Sequence, residues 1–340
     1  CISNLYDYSF YRSYKVQRLF KSWLETLFYI YCSTIIGFIF LLAVVKMKIL
    51  IAVSSKKYSK PTLTVGMNVA RAFKASTTIV DVGEKINEFS VKDVVMAQER
   101  IENWNIDRPG VDVLEWAFGY LAENNFIEKN DIEAGFPKNT LIDTGSNRCE
   151  VYLKGTVCDN VNLIIRNGNV IDELKHEVEK FFYDVTIIGG SQRRNMAHDL
   201  IQYIDSSIFV VNNFNLNKKY KILIAVNESP NTKKAIKYGV RIAQAFGVSI
   251  QAITVNETDN FEEGDNKAVA WFKKLLRRTN TSFDHKFLTG NTASIINNEA
   301  SDNHIIVMGS STKNPLIKFF AGSKPLEVMK NCNCPILIVK

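Results

Sequence analysis

Apolar runs and amphipathic stretches alternate along most of the chain, and the same alternation occurs twice. The hexapeptide Lys-Ile-Leu-Ile-Ala-Val stands at Lys48–Val53 and again at Lys221–Val226, an offset of 173 positions. At the same offset Gly66 matches Gly239. A short, continuous apolar run predicts a strand buried on both faces, and in each copy an amphipathic helix and a second strand follow it. The chain therefore contains an internal duplication of one α/β unit.

In the second copy, strand and helix patterns alternate up to the end of the chain. The predicted elements are a strand over Lys221–Val226, a helix from Asn231 or Thr232 to about Phe246, a strand over Val248–Val255, a helix over Asp265–Thr279, a strand over Ser282–Leu288, a helix over Ala293–Ala300, a strand over His304–Met308, a helix over Lys324–Lys330 and a strand over Pro335–Val339. Regular alternation of this kind predicts an open parallel sheet with helices on both faces. The predicted fold class is therefore α/β, with two doubly wound parallel-sheet repeats.

The first copy begins and ends like the second but is longer in its interior. Its predicted elements are strand Lys48–Val53, helix Thr62–Phe73, strand Thr77–Val82, helix Asp172–Lys180, strand Val185–Ile188, helix Ala197–Ser206 and strand Ile208–Val211. Between its second strand and the turn at Gly168-Asn169 it has about fifty more residues than the second copy has before Gly290-Asn291. We interpret these as an inserted helix (Val111–Asn124) and β-hairpin (Arg148–Leu153 and Asn160–Arg166).

The predicted domains are a hydrophobic N-terminal segment (1–46), a first repeat (47–215) and a second repeat (219–340). Residues 27–45 carry no formal charge, and nineteen apolar residues are enough to cross a bilayer. Lysine and arginine lie on both sides of this segment, so charge does not orient it. It is either a membrane anchor, the last transmembrane helix of a transporter, or translated upstream sequence. We favour the last of these, with Met47 as the natural start.

Composition and charge exclude several classes of function. The 340 residues are 46% hydrophobic and 23% charged, and the net charge of +7 is scattered rather than concentrated. The densest basic cluster, Lys273–Arg278, lies on the polar face of a predicted helix, and no nucleic-acid-binding motif accompanies it. The six cysteines and four histidines form no metal-ligand pattern. We therefore expect a reduced, cytoplasmic protein with no metal site and no nucleic-acid partner.

The candidate chemistry lies after the fourth strand of the second copy. Gly309 directly follows that strand, and nine residues separate Thr312 from Gly322-Ser323-Lys324. In a doubly wound sheet, ligands bind at the carboxyl ends of the strands. Glycines let a phosphate approach backbone N–H groups closely, and Gly322-Ser323 opens a helix whose N-terminus suits an anion. Asn227, at the same edge, could hydrogen-bond a base or ribose. The alternative is that both glycines only form tight turns.

No catalytic constellation accompanies these residues. Gly322-Ser323-Lys324 lacks the first glycine of a phosphate-binding P-loop, and no acidic residue for Mg²⁺ is evident beside it. His285 and His304 have no serine or cysteine partner at a motif spacing. We expect a protein that is not an enzyme, with at most slow, incidental ATP hydrolysis.

The pattern resembles the universal stress protein family, whose ATP-binding members carry Gly-x2-Gly-x9-Gly-Ser/Thr after the fourth strand. Here it reads Gly309-x2-Thr312-x9-Gly322-Ser323. The flanking segments Ile306–Ser310 and Cys334–Val339 are similar to the family as well, and the resemblance covers Lys221–Lys340 fully and Met47–Val211 more loosely. It implies an adenine nucleotide α-hydrolase-like fold in tandem and a ligand that is ATP or AMP, with or without an accompanying Mg²⁺.

The resemblance also implies a set of binding residues in the second repeat. These are Ala225, Val226, Asn227, Val255, Met308, Gly309, Ser310, Thr312, Gly322, Ser323 and Lys324. Two positions depart from the family pattern, since Thr312 replaces the middle glycine and Asn227 replaces an aspartate. Thr312 adds a β-branched side chain where the backbone of the family loop is permissive.

The first copy lacks the phosphate loop. Gly190-Ser191 corresponds to Gly309-Ser310, but the distance to the last strand is nine residues shorter and no Gly-Ser pair follows. We therefore expect nucleotide binding in the second repeat only. In the family, copies pair through their last strands, which implies intramolecular pairing of 208–211 with 335–339.

Two other functions remain open alongside a nucleotide-responsive stress protein with an unknown protein partner. The chain is alternatively a regulatory tail of a membrane transporter, anchored through residues 27–45. It is also consistent with a structural module that has lost its ligand, which Thr312 would explain.

Overall fold

The structure is a computed structural model that describes residues 46–83, 110–137, 141–145, 148–157, 160–190, 194–310 and 324–340. The apolar segment predicted at 27–45 lies outside these residues. Met47–Lys340 forms one compact unit. In this described part of the chain, no helix combines the length and apolar character needed to cross a membrane.

Strands and helices alternate in both repeats. In the first repeat they are β1 (Lys48–Val53), α1 (Lys56–Phe73), β2 (Ser76–Gly83), α2 (Val111–Glu123), α3 (Lys129–Ala134), β3 (Ile142–Asp143), β4 (Arg148–Lys154), β5 (Asn160–Asn167), α4 (Val170–Phe181), β6 (Val185–Gly189), α5 (Arg194–Tyr203) and β7 (Ser207–Val211). In the second repeat they are β8 (Lys221–Ala225), α6 (Thr232–Phe246), β9 (Ile250–Asn256), α7 (Glu263–Arg278), β10 (Phe283–Thr289), α8 (Thr292–Ala300), β11 (His304–Gly309), α9 (Lys324–Asn331) and β12 (Ile336–Val339).

The strands of the described residues form one sheet in the order β10-β9-β8-β11-β12-β7-β6-β1-β2-β5-β4-β3. Within each repeat, five strands pair in parallel. Their order is β5-β2-β1-β6-β7 in the first repeat and β10-β9-β8-β11-β12 in the second, so the two orders correspond strand for strand. This confirms the predicted α/β fold with two doubly wound, parallel-sheet repeats.

The two faces of the sheet carry separate cores, because successive strand residues point to opposite faces. Ile49 and Ile51 of β1 belong to the cluster covered by α1, α2, α6 and α7. Leu50, between them, belongs to the cluster covered by α4, α5, α8 and α9. Each face therefore buries an apolar surface, which is why the strands read as continuous apolar runs.

Gly66 and Gly239 mark the points where the first helix of each repeat crosses the first strand. A Cβ at Gly66 would lie 2.5 Å from Cδ1 of Ile51, and one at Gly239 would lie 2.6 Å from Cδ1 of Ile224. Both separations are shorter than a van der Waals contact. The shared glycine at this offset therefore lets the helix pack closely on the strand.

The predicted insertion in the first repeat contains the expected helix, α2, and the expected hairpin, β4–β5. Strand β5 pairs antiparallel with β4 and also parallel with β2. It thus occupies the third-strand place that β10 holds in the second repeat, and each is followed by a Gly-Asn turn. Among the described elements, only α3, β3 and β4 have no counterpart in the second repeat, and β3 and β4 extend the sheet at its edge.

Helix α1 begins six residues earlier than predicted. Ser55 caps it by accepting a hydrogen bond from the backbone N–H of Tyr58 (3.3 Å), so the helix starts at Lys56 rather than Thr62. Pro61 lies inside the helix, although proline is most common at a first helical position. The predicted start was therefore wrong because the serine cap precedes the proline.

The last strands of the two repeats pair antiparallel. In this register Leu337 of β12 faces Phe209 of β7. Beyond the strands, Asn213 Nδ2 donates to the carbonyl of Asn333 at 3.3 Å. Each strand would otherwise present an unpaired apolar edge, and the pairing removes both edges at once.

A buried network of charges holds β4 and β5 beneath α4. Glu177 is fully buried and accepts hydrogen bonds from Arg148 Nε (3.2 Å), Arg166 Nη1 (2.8 Å) and the Tyr183 hydroxyl (3.2 Å). Arg148 also pairs with Glu150 on the same strand. Each buried charge thus has a partner, which compensates the cost of removing it from water.

Candidate functional site

The candidate site lies where the chain changes direction in the second repeat. From β8 the chain runs to β9 on one side of the sheet and later to β11 on the other, so the carboxyl ends of β8 and β11 flank a topological switch point. Helices diverge from such a point and leave a crevice above the strand ends.

A small pocket of about 40 Å³ occupies this crevice among the described residues. Predicted residues that line it are Ala225, Val226, Asn227, Val255, Met308, Gly309 and Lys324. Ser310 follows Gly309 at the margin, whereas Thr312, Gly322 and Ser323 lie outside the described residues. The structure therefore brings together the predicted residues it describes, contributed by four separate elements and the turn after β8.

Sequence reasoning missed four lining residues, namely Ile253, Thr292, Ile296 and Pro325. Ile253 lies two residues before Val255 on β9 and therefore shares its face. Thr292 is the first residue of α8, directly after the turn at Gly290-Asn291. The strand period and that turn were signals that could have identified both residues.

Gly309 forms a close approach between the end of β11 and the start of α6. A Cβ at this position would lie 2.9 Å from the backbone carbon of Asn231 and 3.0 Å from the nitrogen of Thr232. Asn231 Nδ2 also donates to Ser310 Oγ (2.7 Å) and to the Ser310 carbonyl (3.3 Å). The first residues of the loop are thereby anchored on α6, in a cradle that any side chain at 309 would fill.

Asn227 contributes mainly to the start of α6. Its Oδ1 accepts hydrogen bonds from the backbone N–H of Ser229 (3.1 Å) and from Thr232 Oγ1 (2.5 Å). An Asx turn of this kind satisfies donors that the first helical turn leaves open. No acceptor for Nδ2 is found within the described part of the chain, so the amide donor is what Asn227 can offer a ligand.

Two further groups fit an anionic, hydroxyl-bearing ligand. Thr292 Oγ1 is buried with no hydrogen-bond partner among the described residues, which is unusual for a buried hydroxyl. Lys324 is exposed at the first position of α9 and lines the same pocket. A ligand there would meet a hydroxyl, an ammonium group and glycine backbone from different elements.

A metal site does not emerge from the described residues. No group of three or more histidine, cysteine or acidic side chains there could hold an ion. Cys332 and Cys334 are buried thiols, and Cys334 Sγ donates to the carbonyl of Ser301 at 2.7 Å.

In the first repeat, the end of β6 is closed in a different way. Val185 pairs with Ile49 as Ile305 pairs with Ile222, so Gly189, rather than the predicted Gly190, corresponds to Gly309. Gly190 N donates to the carbonyl of Val211 (2.9 Å), and a Cβ at Gly190 would lie 2.0 Å from Asn212 Oδ1. Helix α5 already begins at Arg194, so only three residues separate Gly190 from it. This connection is too short to contain the nine-residue spacer and the final glycine of the family motif.

The second strand of the first repeat carries a buried carboxyl group that the second repeat lacks at the matching position. Asp81 of β2 is 5% exposed, and burial raises its pKa from 3.8 to about 6, with repulsion from Asp112 acting in the same direction. The matching residue in the second repeat is Thr254, which hydrogen-bonds to His285 Nε2 at 3.0 Å. Ionising Asp81 in the folded protein is therefore unfavourable.

We expect Asp81→Asn to stabilise the protein at neutral pH and to change little at acid pH. Since the folded state holds the proton of Asp81 more tightly than the unfolded state, stability falls as the pH rises from about 3.8 to about 6. The variant lacks this loss, so its advantage in thermal unfolding midpoint should be larger at pH 7.5 than at pH 4. Glu123→Gln, on the exposed end of α2, is the control. An equal advantage at both pH values would contradict the expectation.

The fold and the pocket define a doubly wound α/β protein with a crevice at its switch point. Residues 220–340 match the model of the universal stress protein family. A universal stress protein of Methanocaldococcus jannaschii is 31% identical over 157 residues, which cover 41% of this chain and 90% of that protein. The chain belongs to the universal stress protein family.

Solved structures extend the similarity of fold across both repeats. A universal stress protein from Archaeoglobus fulgidus aligns with a TM-score of 0.52 at 12% identity, over 86% of this chain and 96% of that chain. A putative universal stress protein from Pseudomonas aeruginosa aligns with a TM-score of 0.51 at 12% identity, over 87% and 94% of the two chains. At such identities the likeness establishes the fold alone.

Proposed function

We propose that this protein is a stress-response regulatory module, built of two universal stress protein repeats, that binds an adenine nucleotide in its second repeat only. The ligand is ATP or AMP, with Mg²⁺ accompanying the nucleotide where it is bound. The observation that carries the proposal is the crevice at the β8–β11 switch point. There Gly309 leaves a cradle against the N-terminus of α6, and Lys324 adds a positive charge.

The polar groups of the crevice support a nucleotide rather than an apolar ligand. Helix N-termini and backbone N–H groups beside glycine favour phosphate oxygens. The unpartnered hydroxyl of Thr292 and the free amide donor of Asn227 suit a ribose or a base. The first repeat has no counterpart of the loop, which supports binding in the second repeat alone.

Binding rather than turnover is the proposed activity. No carboxylate or imidazole that could act as a general base is present among the described residues lining the crevice. Bound nucleotide would favour one arrangement of the loop after β11 and thereby change a surface that a protein partner recognises. The antiparallel pair β7–β12 would make the chain an internal dimer in the cytoplasm.

We expect Gly309→Ala to weaken ATP binding at least about ten-fold, or about 1.4 kcal/mol. The added Cβ must displace the backbone of Asn231, which lies 2.9 Å away, and this moves the cradle. Calorimetry of ATP and of AMP with the full chain measures the effect. The matched control is Gly189→Ala, the same substitution at the corresponding position of the first repeat.

The proposal requires one site per chain, lost in Gly309→Ala and retained in Gly189→Ala. Two sites in the unmodified protein, or loss in the control alone, would place the nucleotide in the first repeat. Absence of heat with both nucleotides would reject nucleotide binding altogether.

A ligand-free interaction module is the second candidate, and one observation favours it. The space that the described residues leave in the crevice is only about 40 Å³, far below the roughly 300 Å³ or more of typical small-molecule pockets. On this alternative, the substitutions at Thr312 and Asn227 reflect the loss of an ancestral site, and calorimetry would detect no nucleotide binding.

A further inference from the structure

The first repeat contains a larger cavity than the candidate site itself. It has a volume of about 610 Å³ at the carboxyl ends of β1, β2 and β6. Its lining residues are Ala52, Val53, Ser54, Tyr58, Ser59, Val82, Val170, Leu174, Ile188, Gly189, Gly190 and Asn213. This volume lies within the range of pockets that hold small organic ligands.

The cavity is built from the same positions as the crevice of the second repeat. Eight lining residues correspond in sequence and in place, as the pairs Ala52/Ala225, Val53/Val226, Ser54/Asn227, Val82/Val255, Val170/Thr292, Leu174/Ile296, Ile188/Met308 and Gly189/Gly309. Two differences in the lining accompany the larger space. Ser54 is smaller than Asn227, and no described lining residue of the cavity takes the place of Lys324 and Pro325.

The chemistry of the lining differs from that of the second repeat. Among the residues that the structure describes, those lining the first-repeat cavity carry no charge, whereas Lys324 lines the crevice of the second. Val82, Leu174 and Ile188 provide an apolar wall from three separate elements. Placing a phosphate in such surroundings would leave its charge without a partner, at a cost that polar side chains would have to offset.

A few polar groups remain to orient a ligand. Ser59 Oγ accepts hydrogen bonds from the backbone N–H groups of Ser54 (2.9 Å) and Ser55 (3.2 Å), so its own hydroxyl hydrogen remains to donate. Asn213 uses Nδ2 on the carbonyl of Asn333 (3.3 Å), which leaves Oδ1 as an acceptor. The cavity thus combines apolar walls with polar groups that include a donor at Ser59 and an acceptor at Asn213, as small-molecule sites commonly do.

We propose that the first repeat binds an uncharged, nucleoside-sized molecule that carries no phosphate. A flat heterocycle fits between the apolar walls, and its ring atoms or hydroxyl groups meet Ser59 and Asn213. The inference rests on the proposed function in one respect, the choice of a purine nucleoside as the ligand. That choice follows because the walls of this cavity correspond to those of the second-repeat crevice. The two repeats would then recognise a nucleoside and a nucleotide separately.

The test uses calorimetry of adenosine and of ATP with the full chain and two matched variants. Val170 and Thr292 are the first residues of α4 and α8, each directly after a Gly-Asn turn. Val170→Trp places an indole in the first cavity from a position that is 37% exposed, so the fold should tolerate it. Thr292→Trp blocks the crevice of the second repeat in the same way. Thermal unfolding followed by circular dichroism verifies that both variants fold.

Adenosine should bind Thr292→Trp as it binds the unmodified chain, and Val170→Trp on the Thr292→Trp background should weaken this binding at least ten-fold. No adenosine binding to Thr292→Trp, or binding unchanged by Val170→Trp, would overturn the inference. If ATP bound Thr292→Trp as tightly as adenosine does, the inference that the ligand is uncharged would be overturned. ATP heat in the unmodified chain reports on the second repeat independently, so failure of the proposed function and failure of this inference are distinguishable.

Discussion

Replacing Glu177 by glutamine is expected to lower the free energy of unfolding by about 3 kcal/mol or more. Glu177 has no exposed surface and receives hydrogen bonds from two arginines, Arg148 and Arg166. Glutamine preserves the volume of the side chain but removes the negative charge that both guanidinium groups face. Each guanidinium group then keeps one carboxylate, Glu150 for Arg148 and Glu173 for Arg166, but both lose their charge-assisted hydrogen bonds to Glu177. Such bonds contribute about 1.5–3 kcal/mol each.

The control for this prediction is Glu179→Gln on the same helix. Glu179 is 56% exposed and lies 3.9 Å from Lys175, as an i,i+4 surface pair. Exposed pairs of this kind contribute at most about 1 kcal/mol. Urea unfolding of the full chain measures both variants. If Glu177→Gln cost no more than Glu179→Gln, the network beneath α4 would not be what holds β4 and β5 in place.

The second large effect is expected at the joint between the repeats. Phe209 of β7 has no exposed surface and faces Leu337 across the antiparallel pair. Phe209→Ala removes a ring from the core and leaves a cavity, which typically costs about 3–5 kcal/mol. Because some of the lost contacts join β7 to β12 of the other repeat, we also expect the two repeats of the variant to unfold in separate transitions.

Phe182→Ala is the matched control, since Phe182 is 80% exposed at the end of α4. The same change in composition there should alter the free energy of unfolding by less than about 0.5 kcal/mol. Denaturant unfolding, followed by both fluorescence and circular dichroism, measures the cost and the number of transitions. A cost below 1 kcal/mol for Phe209→Ala would show that the β7–β12 pair adds little stability.

Much of the fold could be predicted because the determining signals are local. An apolar run such as Lys48–Val53 is incompatible with a half-exposed strand, so it predicts a parallel sheet covered on both faces. The repetition of that run and of Gly66 at one offset then predicts a second unit of the same kind. The physical reason for the repeated glycine, a close helix–strand crossing, became clear only from the distances to Ile51 and Ile224.

Element boundaries and strand partners were less predictable. The start of α1 was predicted at Thr62, whereas the Ser55 cap extends the helix to Lys56. Strand β5 was recognised as one half of a hairpin. That it also pairs in parallel with β2 depends on residues about eighty positions earlier, which no local pattern reveals.

For the site, the sequence alone determined the residues after β8 and β11, because chain direction places both ends at one edge of a parallel sheet. It also determined that the first repeat lacks room for a phosphate loop, since chain length sets what a connection can contain. Only the tertiary structure decided that the side-chain oxygen of Asn227 accepts a hydrogen bond from the start of α6, and that the described lining of the first-repeat cavity carries no charge. Side-chain partners and cavity volume depend on groups that are distant in sequence and adjacent only after folding.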